Sequence, residues 1–322
     1  MFSGFLNRLL GVPAPAEKQT PEVPATERHA KLRRVEIVAS QLVQEVFGGQ
    51  YESLFKGQGI EFSEIREYFP GDDVRNIDWN VTARLGRPFI KRNDEERELA
   101  MVLLLDGSSS MDFGSGKRSK RDLAGEIAAI LAFSALQNGD KVGLIRFTTH
   151  VDHVLPPRKG RKHVMRMLGE MMADHTDQPT QSRLDVALDA VCRIYKRKSL
   201  VFVLSDFLCD NYESALKRAG RRHDLSCMRF YDRREEEMPA IGKLRLRDLE
   251  SGQSVMVDTS ASGFCAEYQQ KAQERRKEWK KTCDAAQVAY ADFGCHEDAV
   301  PLLTRFFANK IKRKGRKRKV AS

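Results

Sequence analysis

Residues 103–111 read LLLDGSSSM, and this stretch decides the fold. An apolar run over residues 101–105 ends in Asp106, and two hydroxyls follow at alternate positions, Ser108 and Ser110. A short, continuous apolar run of this kind is the mark of a strand buried on both faces. Emptying into an Asp-x-Ser-x-Ser loop, it sets one carboxylate and two hydroxyls at the carboxyl end of a sheet. Hard oxygen donors of that kind suit Mg²⁺, which prefers octahedral coordination and keeps several waters. Such a site binds an acidic group and supplies neither a nucleophile nor a general base. Recognition is therefore expected before turnover, and no catalytic residue is assigned.

Working outward, a second apolar strand over residues 199–204 runs into Ser205 and Asp206. Between the two strands the pattern predicts a helix over 121–137, stopped by Asn138 and Gly139, then strands over 141–147 and 151–155, then helices over 162–172 and 184–195. Beyond Asp206 it predicts a helix over 212–220, a strand over 225–231, a hairpin with arms 243–249 and 253–257, a charged helix over 261–286, a strand over 288–293 and a last helix from about 297. Strands alternating with helices give an α/β fold, a doubly wound and mostly parallel sheet with one hairpin set on it. Ligands gather where such strands end, so Asp106 and Asp206 are expected to share one edge. A third hydroxyl would help, and Ser182 offers it, with Thr180 as second choice. A serine just before a helix is also a natural N-cap.

The ends are built differently. Phe2, Phe5, Leu6, Leu9 and Leu10 line one face of a short amphipathic helix, and Pro13, Pro15, Pro21 and Pro24 mark an extended linker. A further helix is expected over 31–47, stopped by Gly48 and Gly49. The divisions expected are residues 1–30 (helix and linker), 31–97 (an amino-terminal segment), 98–309 (the α/β domain, with the hairpin inserted over 240–260) and 310–322 (a basic tail). Residues 310–319, KIKRKGRKRK, hold eight cations and no acid, against a formal charge of +10 for all 322 residues. The body is nearly neutral, and the run is expected to be a solvated tail, with weak contact to nucleic acid or an anionic membrane as the alternative. The six cysteines form no C-x-x-C pair, a usage that fits a reducing, cytoplasmic setting. No apolar run nears the roughly 20 residues needed to span a bilayer.

The ordered set Asp106, Ser108, Ser110, Ser182 and Asp206 resembles the metal-ion-dependent adhesion site of von Willebrand factor A domains. That resemblance implies a Mg²⁺ site completed by a partner's Asp or Glu. Ser182 stands where that family usually has Thr. A second block, residues 59–96, reads GIEFSEIREYFPGDDVRNIDWNVTARLGRPFIKRNDEE. With YDRREEEMP and LRDLESGQ farther on, it resembles the signature of uncharacterised bacterial proteins related to von Willebrand A domains. Their genes commonly lie beside those of MoxR-type AAA+ ATPases, which implies such an ATPase and an unknown client protein as partners. Within the block, Pro70-Gly71-Asp72-Asp73 reads as a turn. Arg66, Arg75 and Arg84 stand near Glu67, Asp72, Asp73 and Asp78, and a charge-assisted network is expected among them. Trp79 and Tyr68 are expected as packing anchors, with the block bracing the sheet or, alternatively, facing a partner.

Three functions compete. The first is a non-enzymatic, Mg²⁺-dependent adaptor or chaperone-like module acting with a MoxR-type ATPase in assembly, remodelling or metal loading of a client. No G-x-x-x-x-G-K-[ST] loop stands in the chain, so the ATPase would supply the hydrolysis. The second is a hydrolase using the Asp106 loop. It lacks the second Asp of an aspartyl phosphotransferase and the G-x-S-x-G of a nucleophile elbow. The third is nucleic-acid or membrane-surface binding through residues 310–319.

Overall fold

The computed structural model describes residues 64–92, 100–171 and 179–320. The two expected amino-terminal helices and the proline linker lie outside these residues. In chain order the elements are β1 (Glu64–Glu67), α1 (Trp79–Leu85), β2 (Phe89–Arg92), β3 (Ala100–Asp106), α2 (Lys120–Gln137), β4 (Lys141–Phe147), β5 (Val151–Arg158), α3 (Arg161–Met171), α4 (Leu184–Ile194) and β6 (Leu200–Ser205). There follow α5 (Glu213–Arg222), β7 (Asp224–Tyr231), α6 (Arg233–Glu236), β8 (Lys243–Arg247), β9 (Ser254–Asp258), α7 (Phe264–Ala285), β10 (Ala289–Gly294) and α8 (Ala299–Val320).

Six strands form one sheet in the order β10-β7-β6-β3-β4-β5, parallel except for β5, which runs antiparallel to β4. The expected α/β, doubly wound, mostly parallel architecture is therefore what the chain adopts. β3 and β6 lie side by side at the centre and are buried along almost their whole length, because helices cover both faces. Successive residues point to opposite faces. Leu103 and Leu105 join a core with α2, α3 and α8, while Val102 and Leu104 join another with α4, α5 and α7. α2 crosses the middle of its layer, so Leu123 to Ala135 is apolar nearly all round rather than striped. A Ser119–Asp122 capping box starts α2, and Gly139 at φ 69° follows its end.

The chain leaves β3 toward β4 and β5, then returns across the sheet to β6 on the other side of β3. The two neighbouring carboxyl ends thus flank the point where the winding reverses, where open α/β sheets place their ligands.

Several expectations are corrected. β5 continues past residue 155 through Pro156 and Pro157 to Arg158. It can do so because it is an edge strand, where a missing N–H breaks few ladder bonds. The expected added hairpin is present, as β8–β9, and forms a two-stranded sheet of its own. Trp79 is not a packing anchor: it is 69% exposed, with Phe69, Val74 and Leu85 also exposed. The charge network is smaller than expected. Arg66 pairs with Asp72 at 2.6 Å and Arg87 with Glu67 at 3.0 Å. Asp73 and Asp78 instead accept backbone N–H groups, Asp73 at a 3₁₀ turn and Asp78 at the start of α1. The expected turn is present, with Gly71 at φ 112°. Finally, α8 runs on through the basic stretch. Lys310, the first cation in it, is buried, bonded to Ser226 Oγ at 2.8 Å and paired with Asp224 at 3.0 Å.

Candidate functional site

Asp106 is the last residue of β3 and is fully buried. Its Oδ1 accepts the Ser108 backbone N–H at 2.9 Å. Its Oδ2 accepts two hydroxyls, Ser182 at 2.8 Å and Ser205 at 2.6 Å. Ser108 and Ser110 face each other with hydroxyl oxygens 3.1 Å apart, both buried. Asp206 follows directly on β6, and its Oδ1 accepts the Leu208 N–H at 3.1 Å. The fold therefore brings all five residues singled out in the sequence to one place, the carboxyl ends of the two central strands.

The loop is held from below. Gly107 N–H donates to Phe147 O at 2.7 Å, and a Cβ there would meet Thr148 Cγ2 at 3.2 Å, so the loop lies close against the end of β4 and a side chain would have to push Thr148 aside by a few tenths of an ångström. Arg121, on α2, donates to the carbonyl of Ser108 at 3.0 Å and pairs with Asp112. After Asp206 the backbone turns sharply, with Phe207 at φ 56°. That conformation is costly for a bulky residue and is held here by packing on Tyr212 and Trp279. It turns the Phe207 and Leu208 N–H groups back onto Ser205 Oγ and Asp206.

Ser182 is not an N-cap. The cap position of α4 is Arg183, without a side-chain cap bond, and the Ser182 hydroxyl goes to Asp106. Thr180 is turned elsewhere: its Oγ1 lies 3.3 Å from Ser109 Oγ, and its N–H donates to that oxygen at 2.9 Å.

Four residues at the site were not singled out in the sequence. Ser205 is the third donor to Asp106, and it stands beside Asp206 in the same strand end. Lys120, at the start of α2, is fully buried, and its ammonium sits 2.7 Å from Asp206 Oδ2 and 2.6 Å from Glu235 Oε1. Glu235 lies on α6, whose N-cap Asp232 also accepts from Ser115 N–H at 2.9 Å and Ser115 Oγ at 2.6 Å, binding α6 to the Asp106 loop. Glu250 lies in the turn of the β8–β9 hairpin, near enough that the charges of Asp206 and Asp106 act on it. The acidic stretch and the hairpin were visible in the sequence, but nothing there directed them at this edge.

Charge decides the character of the site. Burial, then the charge of Asp206, raises the Asp106 carboxyl above its ordinary range, against the hydrogen bonds that lower it. Burial also acts on Asp206, but Lys120 outweighs it and holds that carboxyl below the usual range. Burial disfavours the Lys120 ammonium too, and Asp206 and Glu235 more than offset it, so the amine stays protonated well above neutral pH. Glu235 is raised by burial, which Lys120 opposes. Glu250 is pushed up to about 7 by burial, then by Asp206, Asp106 and Asp248, against a hydrogen bond from Ser110.

Among the described residues, no three His, Cys, Asp or Glu side chains form a metal cluster by themselves. The donor set is mixed instead, carboxylates with hydroxyls, all hard oxygens. It is short of positive charge around Asp106 and Glu250, since Lys120 is already engaged by two acids. One Glu250 carboxylate oxygen, Oε1, is buried without a hydrogen-bond partner. An orphaned acidic oxygen beside a buried carboxylate and paired serines fits a hard cation such as Mg²⁺.

The chain is similar to curated and solved proteins. It is 36% identical over 226 residues to the uncharacterized protein Rv1480 from Mycobacterium tuberculosis, spanning 69% of this chain and 71% of that one. The uncharacterized protein YeaD from Bacillus subtilis is 29% identical over 115 residues, 36% of this chain and 27% of that one. Among solved structures, the conserved hypothetical protein BatB from Bacteroides thetaiotaomicron matches with a TM-score of 0.43 and 16% identity, over 67% of this chain and 99% of that one. The SpRpn10 VWA domain matches with a TM-score of 0.37 and 11% identity, over 65% of this chain and 93% of that one. No helix among the described residues is long and apolar enough to cross a membrane. A family model described as a protein of unknown function, DUF58, matches residues 64–278, and the chain belongs to that family.

Proposed function

We propose that the protein is a non-enzymatic interaction module that holds a divalent cation, Mg²⁺ by its donor chemistry, at the Asp106 loop. The observation that carries this reading is Asp106 itself. It is a fully buried carboxylate at a strand end, ringed by Ser108, Ser110, Ser182 and Asp206, with its own proton affinity raised. Asp106, Ser108, Ser110, Ser182 and Asp206 are the residues assigned to the cation. Bound there, the cation would supply a positive charge to which an acidic side chain of a partner can attach. The chain's own part is to fix that charge in place through Ser205, Arg121 and the Lys120 ion pairs.

The same geometry disfavours a hydrolase built on Asp106. Three donors at 2.6–2.9 Å take up three of the roughly four lone-pair sites of its carboxylate, which blunts it as a nucleophile and leaves one site to face a cation. The resemblance of the chain to proteins whose genes neighbour those of MoxR-type AAA+ ATPases makes such an ATPase the expected partner, with a client protein to be assembled, remodelled or metal-loaded. A cytoplasmic site of action belongs to the same reading.

The test has two parts. Calorimetric titration with Mg²⁺ and Mn²⁺ should give one site in the wild type and none in Asp106→Ala. Capture of the MoxR-type ATPase should then require both the cation and Asp106. A wild-type chain that binds neither cation would overturn the metal reading. ATPase capture that is equal in Mg²⁺ and in EDTA would overturn the docking role.

A further inference from the structure

We propose that the outer face of the β8–β9 hairpin is the second half of the docking surface, and that it reads an acidic protein segment lying extended beside the Asp106 loop. The proposal rests on the metal reading above and deepens it by stating which partner fits. One carboxylate of the segment meets the cation, and the acids next to it meet the hairpin.

The hairpin has two unlike faces. Leu244 and Leu246 on β8 lie in register with Val257 and Val255 on β9, and all four are half-buried. The residues between them point the other way and are exposed. Lys243, Arg245 and Arg247 therefore stand in one row on the outer face. A rise of about 3.4 Å per residue sets neighbours in that row about 7 Å apart, the spacing of alternate side chains in any extended chain. A partner with acids at alternate positions matches the row residue for residue.

The row is positive and open. Among the described residues, no carboxylate forms an ion pair with Lys243, Arg245 or Arg247. The one acid on this face, Asp258, stands opposite Lys243 and accepts Ser260 N–H at 3.0 Å. Met256, opposite Arg245, is 56% exposed. Charge by itself would serve to block strand pairing. An exposed methionine set among arginines has instead the composition of a contact surface.

The hairpin is held at both ends, so the row has a fixed direction. At the base, Thr259 N–H and Oγ1 donate to Gly242 O at 2.9 and 2.8 Å, and Cys265 on α7 donates its thiol to Thr259 O at 3.2 Å. At the tip, Asp248 N–H donates to Gln253 O at 2.8 Å, and Gly252 turns at φ 72°, where a Cβ would fall 3.4 Å from Pro179 Cγ. The next residue, Thr180, is bonded twice to the Asp106 loop. Its carbonyl accepts Ser109 N–H at 3.1 Å, and its N–H donates to Ser109 Oγ at 2.9 Å. The tip is thus seated on the segment that delivers Ser182 to Asp106, and Arg247 is the end of the row nearest to it.

A protein segment fits this surface better than a nucleic acid. A continuous phosphate chain would have to pass the acids Asp106, Asp206 and Glu235 at the same sheet edge, and three cations are few for backbone binding. A peptide can place a single carboxylate at the cation and the rest on the hairpin.

The experiment uses the full-length chain, a fluorescent peptide of alternating glutamate and threonine, and oligo-dT as a second polyanion. Anisotropy in Mg²⁺ and in EDTA reads their affinities, and calorimetry reads Mn²⁺ affinity. Arg245→Glu is expected to weaken the peptide by about fivefold or more, with Mn²⁺ affinity and melting temperature kept. Reversal of Lys243, Arg245 and Arg247 together should weaken it further. Arg245→Gln repeats the test without a reversed charge. Arg221→Glu, on α5, should change peptide affinity by less than about twofold. Hairpin variants that keep wild-type peptide affinity, while the wild type binds Mn²⁺, would overturn the hairpin face and leave the metal site standing. A loss in Arg245→Glu when the wild type binds no Mn²⁺ would uphold the hairpin face and overturn the metal reading. An equal loss in Arg221→Glu would mean that only net charge is read. Oligo-dT bound as tightly as the peptide, through the same three residues, would mean a nucleic acid; either result overturns the proposal.

Discussion

Lys120→Met is the sharpest test of the electrostatics beneath the site. Lys120 is wholly excluded from solvent, with Asp206 at 2.7 Å and Glu235 at 2.6 Å. Methionine keeps an unbranched apolar stem of similar length, so little volume is lost and the change isolates the charge. Removing one member of a buried ion pair costs about 3–5 kcal/mol, because the charge left behind is no longer compensated. Asp206 is itself buried, whereas Glu235 keeps part of its surface in water, so the loss should fall near the middle of that range. With a urea dependence of about 2–3 kcal/mol per molar, a loss of ~4 kcal/mol lowers the unfolding midpoint by about 1.5 M. The sign of the pH effect is also fixed. Without the ammonium, the folded carboxylates bind protons more tightly than the unfolded ones. The penalty is then smallest at low pH and grows as pH rises through the unfolded carboxylate range toward neutrality. Equilibrium urea denaturation of both proteins at pH 5 and pH 8, in EDTA, measures this. A Lys120→Met chain within 1 kcal/mol of wild type at pH 8, a threshold set by the scale of an exposed pair, would refute the reasoning. So would a penalty that grows on acidification.

Three other outcomes are expected. His223 is buried, with Nδ1 accepting Ser199 N–H at 3.3 Å and Nε2 without a partner, and burial followed by the nearby Arg222 charge pushes it down to about 4 from an ordinary 6.5. Its contribution is therefore complete above pH 6.5 and is lost as pH falls toward 4. His223→Gln should flatten that slope by about 1–2 kcal/mol after solvent screening, read by denaturation across the window. Ser182→Ala removes one of three donors to a buried carboxylate, so it should cost about 1–2 kcal/mol and weaken Mn²⁺ binding, whereas Thr180→Val should leave Mn²⁺ affinity unchanged. Calorimetry on the two variants tells them apart, and equal losses would count against the assigned geometry. Trp79→Ser should change stability by no more than about 0.5 kcal/mol, since the ring is exposed; a large drop in melting temperature would mean that the indole is covered.

Much of the fold was legible because β3 and β6 advertise themselves as uninterrupted apolar runs. Asp106 and Asp206 were legible for a related reason: an acid ending such a run can only sit at the sheet edge. Ser182 was half legible, since a serine before a helix suits a cap as well as a site, and only the folded chain turns its hydroxyl to Asp106. Lys120 was hidden. A lysine opening a helix belongs by default in water, and burying it becomes favourable only when acids 86 and 115 residues away arrive beside it. Glu250 was hidden likewise, because a glutamate in a polar turn carries no mark of the direction it faces. Trp79 misled in the opposite sense: its size suggested burial, and size alone does not choose a face. The run at 310–319 misled through composition, which counts Lys310 as tail although the helix carries it into the core beside Phe202.

The bonds that make the site span great distances along the chain. Asp106 reaches Ser182 across 76 positions and Ser205 across 99, and Lys120 reaches Glu235 across 115. Contacts of such separation form late, after the loop-closure entropy of the parallel sheet has been overcome. A nascent or partly unfolded chain therefore has the Asp-x-Ser-x-Ser segment without the residues that complete the site around it. Under the function proposed here, a partner attaching at Asp106 would meet only molecules whose two central strands are already paired, and attachment would double as an inspection of finished folding.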